Sequence, residues 1–337
     1  MSETTHLDMV ITRHGGPEVI EAVERDTRPP GAGEVRVWAL ASGVSAHDLM
    51  LRRHGFPGFP KPPFTPGVDI VGRVDATGPD VSSVDRSDVV AALLPAEGGY
   101  SQQLCVPAEM CVRVPDGVDA AEAVCVVANY LTAYSMLHRA GEVKSGERAL
   151  IHGAAGGVGS ALVELGGLAG LEMYGTASQH NHDKVTTLGA TPIDYRNEDF
   201  VERVRDLTGN GVDVVFDPIG GARQLWRSYR TLAEGGRLVW FGVAATAQHG
   251  MRVIPASLVA RFVISLIPDG RQAPMPPDSG SPIEWYRETL ATLLEYLAAG
   301  TIHPLVARRI HLTEARRAHE LLEHGGIAGK IVLVSDI

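Results

Sequence analysis

The stretch Gly153-Ala154-Ala155-Gly156-Gly157-Val158-Gly159 sits between a short apolar run at 148–152 and a helical pattern that starts at about Gly157. Glycines at such a junction let the backbone turn tightly and approach a pyrophosphate, while the first N–H groups of the helix and its dipole favour an anion. A glycine motif alone is weak evidence. Placed between a strand and a helix, at the head of repeated strand–helix units, it is specific. It predicts a dinucleotide site.

Toward the C-terminus the same grammar repeats. Strands are predicted at 171–176, 192–194, 212–217 and 237–243, alternating with helices at 183–188, 199–207 and 222–232. This alternation means βαβ units and a doubly wound parallel sheet. The proline- and glycine-rich stretch 267–282 reads as a long surface loop. A helix at 283–299, a strand at 305–310, a last helix from Thr313 and a strand at 330–334 follow. These final strands fall outside the βαβ rhythm and are expected to return to the first domain.

Toward the N-terminus the pattern changes. A helix is predicted over 120–140, and short strands precede it. Val35, Val37 and Ala39 alternate with Glu34, Arg36 and Trp38, which is strand periodicity. Segments 68–74 and 88–94 read as further strands, and five prolines between 56 and 66 exclude helix and central strand alike. Ser45 is the expected N-cap of a helix over 45–53, with Asp48 at its third position.

Composition narrows the function classes. The chain has 337 residues, 40 acidic against 30 basic side chains and a net charge of −10, which disfavours a phosphate backbone as partner. Three cysteines, at 105, 111 and 125, neither pair fully nor fill a four-thiolate zinc site. No signal peptide is visible, and the apolar stretch near 258–268 is about half the ~20 residues of a membrane span. A reducing, cytoplasmic setting is expected. Only four of the basic residues are lysines, Lys61, Lys144, Lys184 and Lys330.

Cofactor type depends on the strand after the glycine loop, where NAD binders carry a carboxylate for the ribose 2′-OH. Here it runs Tyr174-Gly-Thr-Ala-Ser178-Gln179-His180 and carries none. His180, His182, Lys184 and Arg196 offer positive charge, though each also suits an ordinary solvated helix start. NADPH is favoured over NADH.

Several motifs together carry a family resemblance. They are Gly15-Gly-Pro-Glu18, Pro66-Gly67, Asn129-Tyr-Leu-Thr-Ala-Tyr134, His152-Gly-Ala-Ala-Gly-Gly-Val-Gly159, Asp194-Tyr195-Arg196 and Gly329-Lys-Ile-Val-Leu333. Over nearly its whole length the sequence resembles the medium-chain dehydrogenase/reductase superfamily, in the zinc-independent quinone oxidoreductase branch. The resemblance implies an α/β protein with a GroES-like catalytic β domain over 1–125 and 303–337. A Rossmann NADP-binding domain would cover 126–302, and the protein would be a homodimer.

By position, Ala155, Gly156, Gly157, Val158 and Gly159 would hold the pyrophosphate, and Ser178 and Tyr195 would lie near the 2′-phosphate. Thr132 would lie near the nicotinamide, with Phe241, Gly242 and Val243 ending the last core strand beside the cofactor. Zinc relatives have a cysteine where this chain has Ser45 and a His-Glu pair at Val68-Asp69, so no metal is expected. Three departures from the branch pattern stand out: Ser45 for Asn, Met50 for Tyr, and Asn181 for Lys.

The reaction implied is hydride transfer from NADPH to a quinone or an α,β-unsaturated carbonyl, with a small apolar substrate and no nucleic acid. Ser45, Asn129 and Tyr130 are the candidates for stabilising charge on the acceptor's oxygen. Equally, Ser45 is explained as a helix cap, and Asn129 and Tyr130 as cofactor positioners. The apolar run 254–268 borders the substrate mouth or forms a helix at a dimer interface. The alternative function is an NADPH-binding structural or interaction protein with little turnover.

Overall fold

The computed structural model describes residues 5–56, 58–95, 97–275 and 282–335, with only the backbone at 247 and 248. The chain divides into two compact units, Met1–Leu131 with Ser281–Ile337, and Thr132–Gly280.

The first unit is built on the strand Glu34–Val44, whose inward Val35, Val37 and Ala39 are buried while their neighbours are part-exposed. A sheet of mainly antiparallel strands runs in the order Val306–His311, Lys330–Val334, Glu34–Val44, Asp69–Thr77, Val89–Leu93, Val112–Arg113, and Gln103–Pro107 also pairs with Glu34–Val44. Val35, Val37, Ile70, Val74, Val90 and Val106 close one core against it. The expected return of the last strand is observed, with Lys330–Val334 antiparallel to Glu34–Val44.

The second unit is a five-stranded parallel sheet in the order Thr191–Asp194, Glu172–Ala177, Arg148–His152, Val212–Asp217, Leu232–Trp240. The first of these in the chain is central, and the order reverses beside it. Ligands of such sheets bind at the carboxyl ends of the strands at that switch point. Leu150, Ile193, Phe200, Val204, Val215, Leu225 and Leu238 form the core under the flanking helices.

Three expectations differ in detail. The helix Ile283–Ala298 packs in the first unit rather than the second. There the Tyr286 hydroxyl donates to Met110 O and accepts from Leu93 N, both at 2.9 Å. Helix Ala120–Ala140 crosses the boundary at 131–132 and contains π-type turns over Val126–Tyr130 and Met136–Ala140. By length and composition this helix is apolar enough to cross a membrane, but it is mostly buried in the protein. The last parallel strand begins at Leu232, extends through Gly235 and Gly236, and ends at Trp240. Phe241, Gly242 and Val243 therefore lie just beyond it. The segment stays beside the neighbouring strand because Phe241 N donates to Asp217 O and Ala244 N to Pro218 O. The expected loop over 267–282 is described only as far as 275, where Leu238 N reaches Gln272 O; residues 276–281 lie outside the described residues.

Candidate functional site

In the second unit the glycine segment takes the predicted place. Gly153 has φ +67°, and the helix Gly157–Leu168 begins at Gly156 without any side-chain cap. Its first amides thus lack intrahelical acceptors, the state in which a helix N-terminus is able to bind an anion. A Cβ on Gly159 would overlap Gly153 O, so the turn closes only with hydrogen at this position. Ala155 and Gly159 are buried; Gly156, Gly157 and Val158 are part-exposed.

A chain of buried hydrogen bonds, not foreseen from sequence, holds this turn from below. Ser228 Oγ donates to Asp217 Oδ2 at 2.8 Å, so it accepts from His152 Nε2 at 3.0 Å. His152 Nδ1 is then the acceptor for the Thr176 hydroxyl at 3.1 Å, and Thr176 Oγ1 accepts from Gly153 N at 3.2 Å. Each donor is used once, and the imidazole is neutral. Burial pushes the His152 pKa down, with nearby Asp217 opposing, in keeping with that state.

At the same carboxyl edge, Ser178 follows the second strand and is buried, while Tyr195 is 51% exposed after the third. Ser178, Gln179, His180, Asp194, Arg196 and Asn197 line a cavity of about 400 Å³. The Asp194 carboxylate is turned inward, accepting from Arg196 N at 3.0 Å and Asn197 Nδ2 at 2.7 Å. Those bonds hold its pKa below the usual carboxylate value. The Arg196 guanidinium rests near the Tyr195 ring, 5.8 Å from its centre. Thr132, part-exposed, opens this unit in the chain.

The first unit contains the other candidates. Ser45 caps the helix Ala46–His54 in a full capping box: Asp48 N donates to Ser45 Oγ at 3.3 Å and Ser45 N to Asp48 Oδ2 at 2.8 Å. The Ser45 hydroxyl also donates to Asp48 Oδ2, at 2.7 Å. Its proton is already directed at a carboxylate, so the structure shows the capping role. Asp48 is fully buried, and Gly67 N donates to its other oxygen at 3.0 Å. Burial raises its pKa, opposed by the Ser45 bonds.

Asn129 and Tyr130 are both buried, at 7% and 2% exposure. Asn129 Oδ1 accepts from Lys330 Nζ at 3.4 Å, and Lys330 Nζ forms an ion pair with Asp69 Oδ2 at 2.7 Å. Burial opposes the Lys330 charge, but the carboxylate of Asp69 wins and the ammonium pKa is raised. Lys330 and Asp69 were not foreseen as a pair. The available signal was a rare lysine at the head of the apolar strand Lys330–Val334 and an aspartate at the head of the strand Asp69–Thr77.

A second buried group lies nearby: Tyr100 Oη is 3.1 Å from His319 Nε2, and Arg52 Nη1 is 3.0 Å from His319 Nδ1. An arginine only donates, so His319 is neutral with its proton on Nε2. Burial and Arg52 push its pKa down to about 3. The unfolded chain binds a proton near pH 6.5 that the folded chain refuses. Stability is therefore complete above that pH and falls below it, by about 1.4 kcal/mol per pH unit for one such histidine. Urea midpoints at pH 7.0 and 5.5 are expected to show this decline, and His319→Gln to reduce it. Equal slopes in both proteins would contradict the assignment.

The donor atoms near Ser45 do not suit zinc. Val68 has no ligand atom, Asp69 is committed to Lys330, and no group of three or more His, Cys, Asp or Glu residues among the described residues is arranged to hold a metal. The buried thiols of Cys111 and Cys125 are pushed up to about 12 by burial, which leaves them inert as nucleophiles.

The sequence matches the family model for an alcohol dehydrogenase GroES-like domain over residues 31–116 and that for a zinc-binding dehydrogenase over 188–333. It is 32% identical over 333 residues to a 2-haloacrylate reductase from Burkholderia sp, covering 96% of this chain and 98% of that protein. The synaptic vesicle membrane protein VAT-1 homolog of Danio rerio is 29% identical over 344 residues, covering 98% of this chain and 70% of that protein. The match to its human counterpart, 34% identical over 240 residues, covers 70% of this chain and 61% of that protein. Among solved structures, Escherichia coli quinone oxidoreductase complexed with NADPH aligns with a TM-score of 0.87 at 30% identity, covering 98% of this chain and 99% of that one. The chain belongs to the medium-chain dehydrogenase/reductase superfamily, in its quinone oxidoreductase branch.

Proposed function

We propose that this chain is an NADPH-dependent reductase that transfers hydride, without zinc, to the electron-poor carbon of a quinone or an α,β-unsaturated carbonyl. The observation that carries the cofactor reading is the second strand's end. Ser178 stands where NAD sites place a carboxylate, in a cavity shared with Arg196 and His180. The glycine turn, with its uncapped helix and the missing Cβ of Gly159, is a cradle that fits a pyrophosphate. The Escherichia coli relative complexed with NADPH supports the same reading.

In this account Ala155–Gly159 bind the pyrophosphate, Ser178, Tyr195 and Arg196 the 2′-phosphate, and Thr132 and 241–243 flank the nicotinamide ring. When bound, the cofactor supplies the hydride. As hydride reaches the β-carbon, negative charge moves to the carbonyl oxygen. Asn129 Nδ2 is the protein group assigned to meet it, with buried Tyr130 behind. The proton for the α-carbon comes from solvent.

Arg196→Ala removes one charged hydrogen bond, worth about 1.5–3 kcal/mol. Fluorescence titration should then show NADPH binding ~10- to 100-fold weaker, with NADH unchanged. Equal affinity of the unaltered protein for both dinucleotides would overturn the argument from Ser178 and Arg196.

The likeness to VAT-1 homologues favours a second reading, an NADPH-binding protein with little turnover. NADPH oxidation with 1,2-naphthoquinone and a panel of enones separates the two. Absence of turnover across that panel sinks the reductase.

We also propose a homodimer in a reducing, cytoplasmic compartment. The apolar run near 254–268 forms the helix Val253–Ser265, whose Leu258, Val259, Phe262 and Val263 are exposed beside Trp226. This favours the interface reading of that run. A monomer mass by sedimentation would remove the dimer. All three cysteines are free, as a reducing compartment requires.

A further inference from the structure

The Asn129 amide has two unlike ends, and which one faces the acceptor decides what it does. An oxygen there repels a developing oxyanion; an NH2 group binds it. In an unbiased environment the two orientations differ little, because the amide's oxygen and nitrogen ends have nearly the same shape.

Lys330 removes that freedom. Its ammonium donates only, so the end of Asn129 that faces it, 3.4 Å away, is Oδ1. Nδ2 points the other way and has no acceptor among the described residues. Lys330 is in turn fixed by Asp69 at 2.7 Å; the two side chains are 2% and 0% exposed. The seat is specific. Gly43 pairs with Val332, two residues beyond the lysine, and the Lys330 side chain lies over it: an added Cβ would overlap Lys330 Cε and stand 2.5 Å from both Lys330 Nζ and Asp69 Oδ1. Because Asp69 cancels the charge of Lys330, the pair contributes direction rather than net field.

We infer that Lys330, seated over Gly43 and held by Asp69, is a positioning residue that fixes the sense of the Asn129 amide so that Nδ2 faces the acceptor's oxygen. This rests on the reductase reading above.

The test is a double-mutant cycle. Asp69→Asn with Lys330→Gln gives a neutral pair of similar shape whose contact with Asn129 has no fixed sense. With Asn129 present, kcat for an enone is expected to fall ~10-fold, while NADPH affinity and enone KM stay within about twofold. In an Asn129→Ala background the same pair should change kcat less than about twofold. Gly43→Ala, which displaces the lysine without removing its charge, should give the same signature and carries the test if the neutral pair does not fold. Equal falls of kcat in both backgrounds would overturn the positioning role. A wild-type chain with no turnover would overturn the reductase reading and this role with it, by a different observation.

Discussion

Gly159→Ala is expected to weaken NADPH binding by ~10- to 100-fold while leaving the protein folded. The new Cβ would meet Gly153 O, with Gly153 C at 2.8 Å and Ala154 Cα at 2.9 Å, all backbone atoms that move only if the turn moves. Such overpacking costs about 1–3 kcal/mol. Alanine's better helix propensity, about 1 kcal/mol, offsets part of that cost in overall stability. The displacement falls on the segment that cradles the pyrophosphate, so binding suffers more than folding. Titration with NADPH, alongside thermal unfolding, checks both halves. Unchanged affinity would mean that the turn is not the cofactor cradle.

Lys330→Met is expected to be the most destabilising single change in the first unit, by about 3–5 kcal/mol, because it leaves a buried carboxylate alone. Apart from its ion pair with Lys330, neither Asp69 oxygen has a hydrogen-bond partner among the described residues. The partner change matters as much as the single one. Asp69→Leu with Lys330→Met removes both charges and should recover most of the loss, as apolar replacements of buried ion pairs often do. Urea denaturation of the two variants reads this out. A single variant as stable as the parent would show that Asp69 finds water or another donor.

How much was legible beforehand follows from the range of each interaction. The capping box at Ser45 and Asp48 spans three residues, and the glycine turn spans seven; both could be read from local pattern. The alternation of Val35, Val37 and Ala39 gave the inward face of the central strand for the same reason. The pairing of Lys330 with Asn129 spans 201 residues, and the link from His152 to Ser228 spans 76. Neither leaves a periodic trace. Their hints are single polar residues, Lys330 and His152 on strands and Asn129 and Ser228 on helices, which have bland explanations too.

The unit boundary was hidden by the same limit. The helix Ile283–Ala298 has an apolar face that either unit could have covered. Its place is decided by Tyr286, whose hydroxyl joins Leu93 and Met110. Ser45 teaches a related lesson. It has two readings in the sequence, a helix cap and a candidate for stabilising charge on the acceptor; the structure shows the cap, and the 2.7 Å bond to Asp48 directs its proton away from the second role.

The central claim is hydride transfer from NADPH without zinc, and chelation tests it most directly. Purified protein stripped with a strong chelator should oxidise NADPH with 1,2-naphthoquinone or an enone at an undiminished rate, and added zinc should not raise it. Loss of turnover on chelation, restored by zinc, would contradict the account.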